Sequence, residues 1–160
     1  MPLVLDLLRH GDSLPAADGG DEFRRLSPRG ERDLERLALH LARLGWRPDR
    51  AYTSPLARAR DSARIVLYPA APELVPTVMD ALRPDGEPAE VVDALVETGS
   101  IDGHVLLVGH QPLLGALAGS LTGGETPGFA PGDLVRVEFA TDVAAGAGRS
   151  RWMVRRQDYL

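Results

Sequence analysis

Cysteine is absent, which excludes disulfides and a thiol nucleophile and leaves no redox trace of the compartment. Lysine is absent as well: all 18 residues of the Lys+Arg count are arginine. The sequence offers no functional reason for that bias. No apolar run approaches the roughly 20 residues of a membrane-spanning helix. The chain enters a strand without a basic leader or a cleavage signal, so a cytoplasmic protein with no membrane association is expected. Positive net charge is lacking too, the formal value being −5. Nothing global therefore attracts nucleic acid or acidic lipid, and any cationic site must be a local cluster. The 4 histidines show neither HxH nor HExxH spacing, and nearby arginines would repel a cation, so neither a metal nor a cofactor is expected.

What is present has ordinary globular proportions, 44% hydrophobic and 26% charged. A chain of 160 residues, with no repeat and no linker, predicts one domain over residues 1–160. Such a domain buries roughly 70% of its unfolded surface. Leu3–Leu8 is a short apolar run of the kind that forms a buried strand, and it ends in Arg9-His10-Gly11-Asp12-Ser13. Residues 11–26 are polar and Gly/Asp-rich, a connection long enough to suggest function or mobility. Ser27-Pro28 then caps a helix whose inward positions are Leu34, Leu37, Ala38, Leu41 and Leu44, with Gly45 ending it.

Ala51–Thr53 predicts a second strand, Pro55–Leu67 a second helix and Leu74–Val78 a third strand. A helix over Glu87–Val96 places Val91, Val92, Leu95 and Val96 inward and closes at Gly99. Val105–Val108 is again strand-like and ends in Gly109-His110-Gln111-Pro112. Pro112 suits the first position of a helix running to Leu121, with Gly123-Gly124 as its stop. The tail reads as two antiparallel strands, Leu134–Phe139 and Trp152–Arg156. Alternating strands and helices predict an α/β fold: three α/β/α layers around a mostly parallel sheet with an antiparallel edge strand.

Ligand sites of such folds lie past the carboxyl ends of the strands. Three strand ends here deliver Arg9 with His10, then Arg58, then His110 to one rim. A lone histidine is most simply a core residue. Two at matching strand ends, accompanied by two arginines, favour an anion site. His40 and His104 are expected to be structural or solvated, and Trp46 and Trp152 to be packing residues. Arg29, Arg60 and Arg64 suit solvated helix faces.

LLRHG near the N-terminus, TSPLARARDSA in the middle and LLVGHQP in the second half resemble the histidine phosphatase superfamily, also called phosphoglycerate-mutase-like. Order and spacing hold along nearly the whole chain. The short length and Asp21–Gly30 most resemble the small SixA-type phosphohistidine phosphatases. The resemblance implies that His10 is the nucleophile, forming a phosphohistidine that water hydrolyses. It implies that Arg9 and Arg58 clamp the phosphoryl oxygens and that His110 donates a further hydrogen bond. Arg24 matches a SixA-like position, although Arg25 is nearly as good a candidate. Ser13 and Gln111 are candidate substrate contacts, with Asp12 and Ser13 also shaping the turn.

The residue types suit the chemistry. A neutral imidazole, of free pKa about 6.5, attacks well near neutrality. Paired guanidinium N–H groups grip a phosphoryl group with a geometry that lysine lacks. A proton donor is harder to place. Asp80 and Asp85 are the candidates, in a stretch that also holds Glu87, yet Asp85 serves equally well as a helix N-cap. A weak acid suits phosphohistidine, because imidazole leaves far more readily than an alkoxide.

The expected activity is thus a metal-independent phosphatase for protein phosphohistidine, releasing inorganic phosphate. The chain has no room for a mutase-like lid, so an open site suited to a phosphorylated protein is expected. Two alternatives stand: a phosphatase for a small phosphomonoester such as a sugar or nucleotide phosphate, and a non-catalytic phosphate-binding module.

Overall fold

A computed structural model describes residues 2–15 and 17–160. In chain order the elements are β1 (Leu3–Arg9), α1 (Pro28–Arg43), β2 (Arg50–Thr53), α2 (Ala57–Leu67), β3 (Thr77–Val78), α3 (Pro88–Glu97), β4 (Gly103–Gly109), α4 (Leu113–Thr122), β5 (Leu134–Phe139), β6 (Gly148–Val154) and α5 (Arg156–Tyr159). The strands form a six-stranded sheet in the order β3-β2-β4-β1-β5-β6. β3, β2, β4 and β1 are mutually parallel, and the antiparallel hairpin β5–β6 completes the other edge. This is the expected α/β class.

Alternation along β1 feeds both faces, as the period of two in a strand requires. Leu3, Leu5 and Leu7 join Val91 and Leu95 of α3 and Leu114, Leu117 and Leu121 of α4 in one core. Leu8 joins Leu34, Leu37 and Leu41 of α1, Ala59, Ala63 and Val66 of α2, and Tyr159 of α5 in the other. Each fully buried leucine contributes about 2 kcal/mol of transfer free energy.

The second face also carries a charge. Asp6 is fully buried in mid-strand. Its carboxylate accepts from Trp46 Nε1 at 2.7 Å, from His104 Nε2 at 2.5 Å and from Arg136 Nε and Nη2 at 2.9 and 3.0 Å. Burial alone would raise its pKa, but the hydrogen bonds and charges of His104 and Arg136 prevail and lower it. The Arg136 guanidinium also lies 5.0 Å from the centre of the Trp152 ring. His104, Trp46 and Trp152 thus have the structural roles expected, although nothing in their spacing announced a shared partner.

Several boundaries differ from the sequence reading. α2 starts at Ala57, two residues after Pro55, with Leu56 as N-cap. The third strand shrinks to exposed Thr77–Val78, an edge with little apolar surface to bury. Leu44 and Val96, expected inward, are exposed because each lies at the end of its helix. Pro112 is the N-cap of α4 rather than its first helical residue. β6 begins earlier than Trp152 and ends at Val154, and Arg156 opens α5. The N-cap of α3 is Glu87, whose backbone N–H donates to Glu90 Oε1 at 3.1 Å, so Asp85 does not cap that helix.

Candidate active site

Strand order decides what meets at the carboxyl rim. β4 lies between β2 and β1, so the residues just past their ends stand in a row: Ser54, His110 and His10. Backbone bonds fix that row, His10 N–H to Gly109 O at 3.0 Å and Ser54 N–H to Val108 O at 3.0 Å. The two imidazole centroids lie 5.0 Å apart. A cleft of about 260 Å³ opens over them, lined by Arg9, His10, Asp12, Ser13, Arg24, Arg58, His110 and Gln111, with Pro84 and Pro131 at its walls.

The His10 ring has a defined tautomer. Its Nδ1 lies 2.8 Å from Gly11 O. A carbonyl only accepts, so Nδ1 carries the proton and Nε2 keeps its lone pair. Gly11 is held in turn by Ser62, whose Oγ accepts the Gly11 N–H at 3.0 Å and donates to Arg58 O at 2.7 Å. Burial, with the charges of Arg58 and Arg9 added, pushes the His10 pKa down to about 4, against the raising effect of the Gly11 bond. Burial, then His10 and Arg58, push His110 down to about 3. Both rings are neutral near pH 7.

The arginines approach from different elements. Arg9 ends β1 and donates Nη1–H to Phe129 O at 2.8 Å. Arg58 lies in the first turn of α2, buried, and gives Nη1–H to Asp21 O at 2.8 Å and Nη2–H to Asp21 Oδ2 at 3.2 Å. Arg24 reaches back to Asp21 Oδ1 at 3.0 Å, Ser13 Oγ at 2.9 Å and Leu14 O at 2.7 Å. Hydrogen bonding from Arg24, then from Arg58, lowers the Asp21 pKa. Arg25 instead pairs with Asp61 outside the cleft, which decides between the two neighbours.

Among the described residues, the buried side-chain atoms without a hydrogen-bond partner are Arg9 Nε, Arg58 Nε and His110 Nδ1. All three belong to residues lining this cleft. Buried donors seldom go unsatisfied. Two guanidinium donors and an imidazole nitrogen without partners, in residues that line one cleft beside a free imidazole lone pair, suit a tetrahedral oxyanion.

Most of the expected site residues converge here: Arg9, His10, Ser13, Arg24, Arg58, His110 and Gln111. Gln111 spends its Oε1 on the Gly115 N–H of α4 at 2.7 Å, leaving its amide N–H groups free of that bond. Asp80 and Asp85 do not converge. They line a separate hollow with Met79, Arg83, Glu90 and Asp93, and Asp80 pairs with Arg83 at 2.7 Å. The turn that carries them brings only Pro84 to the cleft. The sequence reading gave no role to Ser54, Ser62 or Asp21, although the first two lie in TSPLARARDSA and the third opens Asp21–Gly30.

Residues 5–83 match the histidine phosphatase superfamily (branch 1). An uncharacterized protein of Picosynechococcus is 36% identical over 128 residues, spanning 78% of this chain and 76% of that one. The chain belongs to this superfamily. Its fold is SixA-like: the protein histidine phosphatase SixA, complexed with tungstate, superposes with a TM-score of 0.86 at 25% identity, covering 97% of this chain and 98% of that one. A shorter segment of 76 residues is 43% identical to the 2,3-bisphosphoglycerate-dependent phosphoglycerate mutase of Thermobifida fusca, covering 46% of this chain and 31% of the mutase. The chain is thus similar to a phosphatase and, in part, to a mutase, and it brings two histidines and three arginines to one cleft.

Proposed function

We propose that the protein is a metal-independent phosphatase that hydrolyses protein phosphohistidine through a covalent phosphohistidine on His10. The observation that carries this reading is the tautomer of His10: Nδ1 is committed to Gly11 O, and the neutral ring keeps a lone pair on Nε2 among orphaned donors. His10 Nε2 attacks phosphorus and the bond from phosphorus to the substrate imidazole breaks. When the distal nitrogen of that imidazole is protonated, it departs as a neutral ring and needs no acid. Water then displaces Nε2, giving inorganic phosphate and restoring His10. Arg9, Arg58 and His110 hold the non-bridging oxygens as charge shifts, each such donor being worth about 10²–10³ in rate. Arg24 and Ser13 support the same oxygens from the loop, with Gln111 at the α4 side.

Two features favour phosphohistidine. Asp80 and Asp85 lie outside the cleft, and the carboxylate that lines it, Asp12, accepts from Ser27 Oγ at 2.6 Å, so the site offers little general-acid help to an alkoxide. Likeness to a SixA protein histidine phosphatase that binds tungstate, a tetrahedral oxyanion, supports the same substrate class. The segment shared with the phosphoglycerate mutase favours the second reading, a small phosphomonoester as substrate.

The deciding experiment pairs turnover with trapping. His10→Ala is expected to stay folded and to lose turnover, while wild type incubated with radiolabelled phosphohistidine protein acquires acid-labile, base-stable label on His10. Faster hydrolysis of alkyl phosphates than of phosphohistidine protein would transfer the assignment to the second reading. Phosphate binding with no turnover of any substrate would make the protein a binding module.

A further inference from the structure

We infer that Ser54 is a positioning residue, whose hydroxyl donates to His110 Nε2 and so turns the ring's single proton, on Nδ1, toward the phosphoryl group. This deepens the phosphatase reading and rests on it for its catalytic consequence, but the tautomer itself does not depend on that reading.

The argument is an account of protons. Ser54 Oγ lies 3.2 Å from Leu56 N and 2.8 Å from His110 Nε2. The Leu56 amide can only donate, so it occupies one lone pair of the hydroxyl oxygen. The serine's own proton then has one acceptor in reach, His110 Nε2. Were Nε2 protonated, the oxygen would accept twice and its O–H would have no partner. Ser54 has 0% exposure, so water cannot rescue it. Nδ1 would then be a second buried atom without a partner, whereas a donating Ser54 leaves the Nδ1 proton alone unpaired, and each orphaned buried group costs about 1–3 kcal/mol.

The arrangement in which Ser54 donates leaves the proton on Nδ1, an atom buried without a protein partner in a residue that lines the cleft. Because His110 is pushed down to about 3, the ring holds a single proton near neutrality and its position matters. His10 and His110 therefore present opposite faces of the same chemistry. His10 offers a lone pair, because a carbonyl takes its Nδ1 proton. His110 offers a proton, because a hydroxyl saturates its Nε2.

Strand pairing places the serine for this task. β2 and β4 are neighbours in parallel register, with Thr53 opposite Val108. The next residue of β2's chain thus stands beside the residues that lead out of β4. Thr53 Oγ1 donates to Ser54 O at 3.1 Å, so the serine's backbone is held at both ends.

The test is ¹⁵N NMR of the imidazoles together with steady-state kinetics on phosphohistidine protein. In wild type, His110 is expected to show a pyrrole-type Nδ1 and a pyridine-type Nε2, the reverse of a ring protonated on Nε2. Ser54→Ala should mix the two forms and lower kcat about ten-fold, with a smaller change in KM. Ser54→Thr, which keeps the hydroxyl, should restore the tautomer and most of kcat. Should the alanine variant fail to fold, the wild-type spectrum and Ser54→Cys, a weaker donor of similar size, give the same readout. A wild-type His110 protonated on Nε2, or a folded Ser54→Ala with an unchanged His110 spectrum and kcat, would overturn the inference. An Nδ1-protonated His110 in a protein without turnover would uphold it while sinking the phosphatase reading.

Discussion

His10 and His110 are buried and neutral where most histidines near a protein surface would begin to titrate, and this sets the pH response of the site. Burial, reinforced by Arg58 and Arg9, depresses His10 to about 4. The acid limb of kcat/KM that reports His10 should therefore lie near pH 4 rather than near the free value of about 6.5. The same shifts act on stability. Both rings sit below their unfolded pKa, so between about pH 6.5 and 4 the unfolded chain binds more protons than the folded one. Stability should decline as pH falls through that window. Urea titrations from pH 7 to pH 4.5 measure this, and a flat profile would contradict neutral buried rings. The residues concerned were legible in the sequence because each follows a short apolar run. Their tautomers were not, since these depend on Gly11 O and Ser54 Oγ, partners whose positions only the folded strands define.

At the scale of elements, the long connection after β1 is tied over the first turn of α2. Asp21 opens a short 3-10 turn, Asp21–Phe23, and there meets Arg58 through both its carbonyl and its carboxylate. Arg24 closes the same loop onto Ser13 and Leu14. Asp21 thus orients two guanidinium groups that face the cleft from behind. Asp21→Ala should raise KM about ten-fold with a smaller effect on kcat, in line with the loss of a charge-assisted hydrogen bond. Kinetics on a phosphohistidine protein check this; an unchanged KM would show that the arginines hold themselves. This tie links residues 37 positions apart, so no local pattern could reveal it. Strands β1 and β4 and helix α1 were readable because their apolar spacing matches their burial. The edge strand β3 was overextended because Val75 is apolar yet exposed. The cap of α3 was misplaced because two acidic residues precede Pro88, and only the backbone distinguishes them.

For the molecule as a whole, Asp6 fastens the middle of the sheet. Its carboxylate draws together β4 through His104, β5 through Arg136 and the end of the α1 turn through Trp46. Arg136→Ala would strip a buried carboxylate of its guanidinium partner, and should cost about 3 kcal/mol, the low end for a broken buried pair because Arg136 is partly exposed. Chemical unfolding measures this, and a loss under about 1 kcal/mol would show that His104 and Trp46 suffice. Asp6 lies on the same strand as Arg9, the last residue of β1, and His10 follows at once. Damage at Trp46, His104 or Arg136 should accordingly surface as failing catalysis in warm assays and return to normal on cooling. In a mutational survey run at one temperature, these remote positions would masquerade as members of the reaction centre.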